Sequence, residues 1–133
     1  MNSSPILIIP GEKKSIFFEI FFKSIKSKKI ISPLILVCSK KILDKEIKKY
    51  NFNAKIELIN LAQIIKKRFN KNRLYIIDIN NHNSKTYIQE CFSLAFKIIK
   101  QGLSNKLING PINKSKTLKK KHLGMTEYIA KNF

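Results

Sequence analysis

Two stretches of this chain carry residue types that could do chemistry: Gly110-Pro111-Ile112-Asn113-Lys114 and, ten residues further on, Gly124-Met125-Thr126-Glu127-Tyr128. A glycine at the end of a strand lets the backbone approach a ligand closely, and a following proline presets the entry to the next element. Lys114 then falls near the start of an expected helix, where a cation opposes the helix dipole unless an anion lies nearby. That combination suits a phosphate. It equally suits a basic surface loop, and spacing alone does not choose between them in a chain so rich in lysine. Thr126 has the same two faces. Its hydroxyl can cap a final helix, with Glu127 favourable in the first turn, or it can meet a substrate. The capping-box partner is missing, because Ile129 stands three residues after Thr126 where Glu or Gln would be needed.

These segments need a scaffold, and the hydrophobic pattern supplies one. Ile6–Ile9 is a short continuous apolar run closed by Pro10 and Gly11, as in a strand buried on both faces. Residues 15–26 follow as a helix so apolar around its circumference, with four phenylalanines and three isoleucines, that it is expected to be almost wholly buried. Leu34–Cys38 repeats the strand pattern, Ser39 can cap, and Ile42, Leu43 and Ile47 mark an amphipathic helix. Strands are expected at 55–59 and 73–79, with a short helix at 61–68 between them. Ser84 can cap a longer helix over 85–101, where Ile88, Cys91, Phe92, Ala95 and Ile99 recur at helical spacing and Gly102 is a natural stop. Residues 106–108 return to strand. The strand–helix alternation predicts an α/β fold: a mainly parallel sheet with helices on both faces, in one domain over 1–133 with no internal repeat.

Composition sets further bounds. The chain of 133 residues has 44% hydrophobic content, enough for a core of its own, so a disordered chain is excluded. Its net charge of +19 raises nucleic acid as a partner. Against that, nearly all the positive charge is lysine, with Arg68 and Arg73 as the arginines, and no basic stripe is interleaved with aromatic residues. A small nucleic-acid-binding module is the alternative to an enzyme, and a membrane surface is not expected as a partner. Cys38 and Cys91 are far apart and outside any metal or redox spacing, as expected of buried thiols in a reducing compartment. With no secretory signal and no apolar run of about 20 residues, cytoplasmic residence is the expectation.

The series IIPGE (8–12), INGPINKSKT (108–117) and GMTEY (124–128) resembles the N-terminal part of the 4-hydroxythreonine-4-phosphate dehydrogenase family of pyridoxal phosphate biosynthesis. The resemblance implies an incomplete isocitrate/isopropylmalate dehydrogenase-like fold, the N-terminal part of a longer two-domain protein. It also implies a homodimer, NAD and a divalent metal, and oxidation and decarboxylation of a small phosphorylated amino acid, 4-phosphooxy-L-threonine. The family's phosphate-contacting Thr falls on Thr126 and its neighbouring His on Met125, whose thioether cannot donate a hydrogen bond. Lys114 and Gly110 would support the phosphate. The family's three metal-binding histidines have no match: His82 and His122 lie elsewhere, in polar stretches expected to face solvent. The family's continuation after the first turn, Pro-Ala-Gly-Ile-Gly-Pro-Glu, falls on Lys13 to Glu19, where Ile16 and Glu19 are retained and the two glycines are replaced by Ser15 and Phe17. The resemblance thus assigns substrate-binding residues here, leaves catalytic, NAD and metal residues unassigned, and implies that the 133 residues are inactive alone, as a fragment or a degenerate remnant.

Overall fold

The computed structural model describes residues 4–27, 30–83, 85–112 and 129–131. Nine elements alternate in chain order: β1 (Ile6–Ile9), α1 (Phe17–Lys26), β2 (Leu34–Cys38), α2 (Lys40–Lys49), β3 (Lys55–Leu58), α3 (Leu61–Ile64), β4 (Arg73–Asp78), α4 (Tyr87–Lys100) and β5 (Lys106–Asn109). The five strands form one sheet in the order β3-β4-β2-β1-β5, and every pairing is parallel. The expected α/β class is the observed one.

Side chains alternate across each strand, and two hydrophobic layers result. Ile8, Leu36, Cys38, Leu74 and Ile76 pack with Phe18, Phe21 and Phe22 of α1 and Leu43 of α2. Leu7, Ile9, Ile35, Val37, Tyr75 and Ile77 pack with Ile64 of α3 and with Ile88, Phe92, Ala95 and Ile98 of α4. This division follows from right-handed crossovers. Connections running toward β3 place α1 and α2 on one face; those running back toward β5 place α3 and α4 on the other. Helices therefore cover both faces.

Local chemistry explains most boundaries. The Ser39 hydroxyl accepts the Ile42 N–H at 3.4 Å and caps α2 as expected. Gly102, at φ +76°, ends α4, and the N–H groups of Gly102 and Leu103 return to the carbonyls of Ile99 and Ile98. Helix α4 begins at Tyr87, two residues later than expected; Thr86 occupies its N-cap without a capping side-chain hydrogen bond, and Ser84 lies outside the described residues. Helix α3 begins at Leu61 as expected, where a reciprocal capping box between Asn60 and Gln63 satisfies its first amides, and it stops at Ile64 instead of 68.

One expectation fails. Helix α1 is not almost wholly buried: Ile16 and Ile20 are 62% and 52% exposed. The cause is position, since α1 lies on β1 and β2 near the end of the sheet and no described element covers its outer side toward β5.

Candidate functional site

In open parallel sheets ligands collect at the carboxyl ends of strands, where helices diverge to opposite faces. Adjacent strands β2 and β4 form such a point here, because α2 departs to one face and α4 to the other. The chain closes that crevice with its own groups. Asp78, at the end of β4, accepts the Lys40 N–H at 2.9 Å, and the buried Tyr87 hydroxyl accepts the Ser39 N–H at 2.7 Å. Two of the amides at the start of α2 are thereby satisfied internally, one by a carboxylate whose charge suits the helix dipole. Sequence reasoning did not single out Asp78 or Tyr87. The available signal was an acidic residue closing an apolar strand, a place where such a side chain commonly meets a neighbouring helix end.

Beside this crevice stand the two turns that the sequence motifs share. Gly110 donates its N–H to the Ile9 carbonyl at 2.7 Å, and Glu12 donates its own to the Pro111 carbonyl at 2.8 Å, so the Pro10-Gly11 and Gly110-Pro111 turns lock together. The contact leaves no room for side chains. A Cβ at Gly11 would lie 2.2 Å from the Pro111 oxygen, and one at Gly110 would lie 1.9 Å from the Pro10 oxygen and 2.7 Å from the Phe17 ring. Gly11 also adopts φ +88°, where L-residues are strained. The close approach at Gly110 is thus made by the neighbouring turn of the same chain. The Asn109 amide nitrogen donates to the Gly110 carbonyl at 3.0 Å and braces the turn further.

A lysine reaches over the same end of the sheet. Lys13 Nζ donates to Asn83 Oδ1 at 3.3 Å and sits 5.9 Å from the centre of the Tyr87 ring, bridging the β1 and β4 loops. His82, expected in solvent, is half-buried, and its Nδ1 is enclosed without a hydrogen-bond partner among the described residues. Lys114, Met125, Thr126 and His122 lie outside the described residues.

Cys38 and Cys91 are both free and buried, as expected. Burial raises Cys38 well above the usual thiol range and, with Glu90 opposing ionisation, pushes Cys91 up to about 12. Burial likewise raises the Tyr87 phenol. None of the three is a nucleophile or base at neutral pH. We expect both thiols of the native chain to resist an aromatic disulfide reagent at pH 8, reacting at least about a thousandfold more slowly than in denaturant. Rapid labelling of either cysteine in the folded protein would show that this end of the sheet opens readily.

No group of three His, Cys, Asp or Glu converges on one point among the described residues. The glycines at the ends of β1 and β5 are filled by each other's backbone and form no cradle.

The strand order, the two helix layers and the paired turns at the carboxyl edge define an all-parallel, doubly wound α/β unit. No protein-family model and no curated protein matches the sequence. Among solved structures the fold is that of 4-hydroxythreonine-4-phosphate dehydrogenases, as the sequence resemblance implied. The enzyme from Klebsiella pneumoniae matches with a TM-score of 0.77 and 19% identity over 98% of this chain. That from Burkholderia phymatum matches with a TM-score of 0.75 and 16% identity over 99%. The chain spans 44% of the length of each. No helix among the described residues is long and apolar enough to cross a membrane.

Proposed function

We propose that this chain is the N-terminal, phosphate-holding portion of a 4-hydroxythreonine-4-phosphate dehydrogenase-like oxidoreductase of two domains. The observation that carries this reading is the shared fold over nearly the whole chain, together with the motif order Pro-Gly, Gly-Pro-x-x-Lys and Thr-Glu along it. In this reading Thr126 donates its hydroxyl to the substrate phosphate and Lys114 supplies positive charge. Gly110, locked against the β1 turn, sets the direction in which the chain leaves β5 toward both. Met125 lines the site without donating a hydrogen bond. These groups bind and orient a small phosphorylated amino acid, 4-phosphooxy-L-threonine. In this reading the complete protein acts as a homodimer with NAD and a divalent metal, and the described residues supply no converging ligand set for the metal. A cytoplasmic location suits this chemistry.

The test is kinetic. The 133-residue chain is expected to form no NADH from 4-phosphooxy-L-threonine, whereas a version completed with the missing part of the fold does. In that complete version Thr126→Ala is expected to weaken substrate binding by about 1–3 kcal/mol, the scale of a lost charge-assisted hydrogen bond. Unchanged KM and kcat in the variant would remove Thr126 from the site.

A further inference from the structure

Asn109 and Gly110 form the one Asn-Gly step in the chain. In an unfolded chain such a step is chemically unstable: the glycine nitrogen attacks the asparagine side-chain carbonyl, and a residue without Cβ does not hinder that approach. The bond from Gly110 N to Asn109 Cγ forms, the Cγ–Nδ2 bond breaks, and ammonia leaves with the glycine's amide proton. Water then opens the cyclic imide at either carbonyl, giving aspartate or an isoaspartate whose backbone runs through the side chain. Substitution cannot remove this liability. Gly110 has to be glycine, because a Cβ there would lie 1.9 Å from the Pro10 carbonyl oxygen.

The folded chain holds each reacting group out of position. The Gly110 N–H is donated to the Ile9 carbonyl at 2.7 Å, so the nitrogen is free neither to lose its proton nor to turn. Asn109 is the last residue of β5, in register with Ile9, and an extended backbone carries the next nitrogen away from Cβ, whereas ring closure needs the two eclipsed. The Asn109 amide nitrogen is engaged by the Gly110 carbonyl at 3.0 Å. Gly110 itself is buried beneath the Phe17 ring, and the bond from Glu12 to Pro111 closes the turn from its other side.

We propose that Asn109–Gly110 is a latent deamidation site, kept inert by the interlocked turns and converted to aspartate or isoaspartate once they part. Each opening that leads to reaction is irreversible. An isoaspartate adds a methylene to the backbone at a contact with no slack. An aspartate loses the amide donor and turns a carboxylate toward the Gly110 carbonyl oxygen, so neither product restores the closed turn. The site uses residues 9–12, 17 and 109–111 and does not depend on the dehydrogenase reading.

Incubating the 133-residue chain at pH 8 with and without urea, then following each asparagine by peptide mass spectrometry, tests this. In urea Asn109 is expected to convert faster than any other asparagine of the chain. In buffer it should convert at least about tenfold more slowly than in urea, because reaction waits on opening. Gly11→Ala sets a Cβ against the Pro111 oxygen without altering the reacting residues. It should raise the rate in buffer at least about tenfold over the parent and leave the rate in urea unchanged. Phe17→Ala removes the ring over Gly110 and should act in the same direction; it serves as the milder variant if circular dichroism shows that Gly11→Ala does not fold. Gly102→Ala, strained but remote from the turns, should leave the rate in buffer unchanged. Equal rates for the parent with and without urea would overturn the proposal, as would slow conversion of Asn109 in urea. Folded turn variants that convert no faster than the parent would also overturn it. Equal acceleration by Gly102→Ala would do the same, by making global unfolding the controlling step.

Discussion

Replacing Gly110 with alanine is expected to destabilise the protein by about 3 kcal/mol or more, well above the usual effect of adding one methyl group. The new Cβ would stand 1.9 Å from the Pro10 carbonyl oxygen and 2.7 Å from the Phe17 ring. The first of these is backbone in a turn already held by hydrogen bonds from Gly110 to Ile9 and from Glu12 to Pro111, so relief requires the two turns to part. Gly102→Ala isolates the alternative cause. That glycine has φ +76° and nothing within 4 Å, so its cost is left-handed backbone strain alone, about 1–2 kcal/mol. Urea unfolding of the two variants beside the parent gives the comparison. Equal losses would mean that the interlocked turns give way easily and do not define the direction in which the chain leaves β5.

Phe92→Ala is expected to cost about 3–5 kcal/mol and to lower the melting temperature by about 10–20 °C. Phe92 is fully buried in the layer that α4 forms over the sheet, 5.7 Å from the Phe96 ring centre. Helix α4 crosses from β4 to β5 over β2 and β1, so a void at its centre weakens the packing that connects both ends of the sheet. Marginal stability makes this severe, because the loss is a large fraction of the roughly 5–15 kcal/mol typical of a whole domain. Thermal denaturation followed by circular dichroism checks it. A shift below about 5 °C would indicate that neighbouring side chains collapse into the space.

The pattern of apolar residues along the chain was sufficient for the order of the elements, the α/β class and the position of every strand to within one residue. A continuous apolar run as short as Leu34–Cys38 suits a strand buried on both faces, and the spacing of Ile88, Cys91, Phe92, Ala95 and Ile99 suits a helix; both are observed. The Ser39 cap and the Gly102 stop were equally legible, because each acts on backbone groups within a few residues of itself. The motif series also carried the resemblance that the solved structures bear out at the level of fold.

Tertiary structure alone decided which surfaces meet. Seven apolar residues within 15–26 implied burial on all sides of α1, yet the helix lies toward the β5 end of the sheet and Ile16 and Ile20 face outward. Nothing local to Gly110 announces that its neighbour is Pro10, a hundred residues earlier, or that Asp78 and Tyr87 would take the amides of Ser39 and Lys40. Local periodicity reports how a segment buries its own face. Strand order is set by long-range pairing, and that order determines which turns interlock and which helix end is satisfied from within.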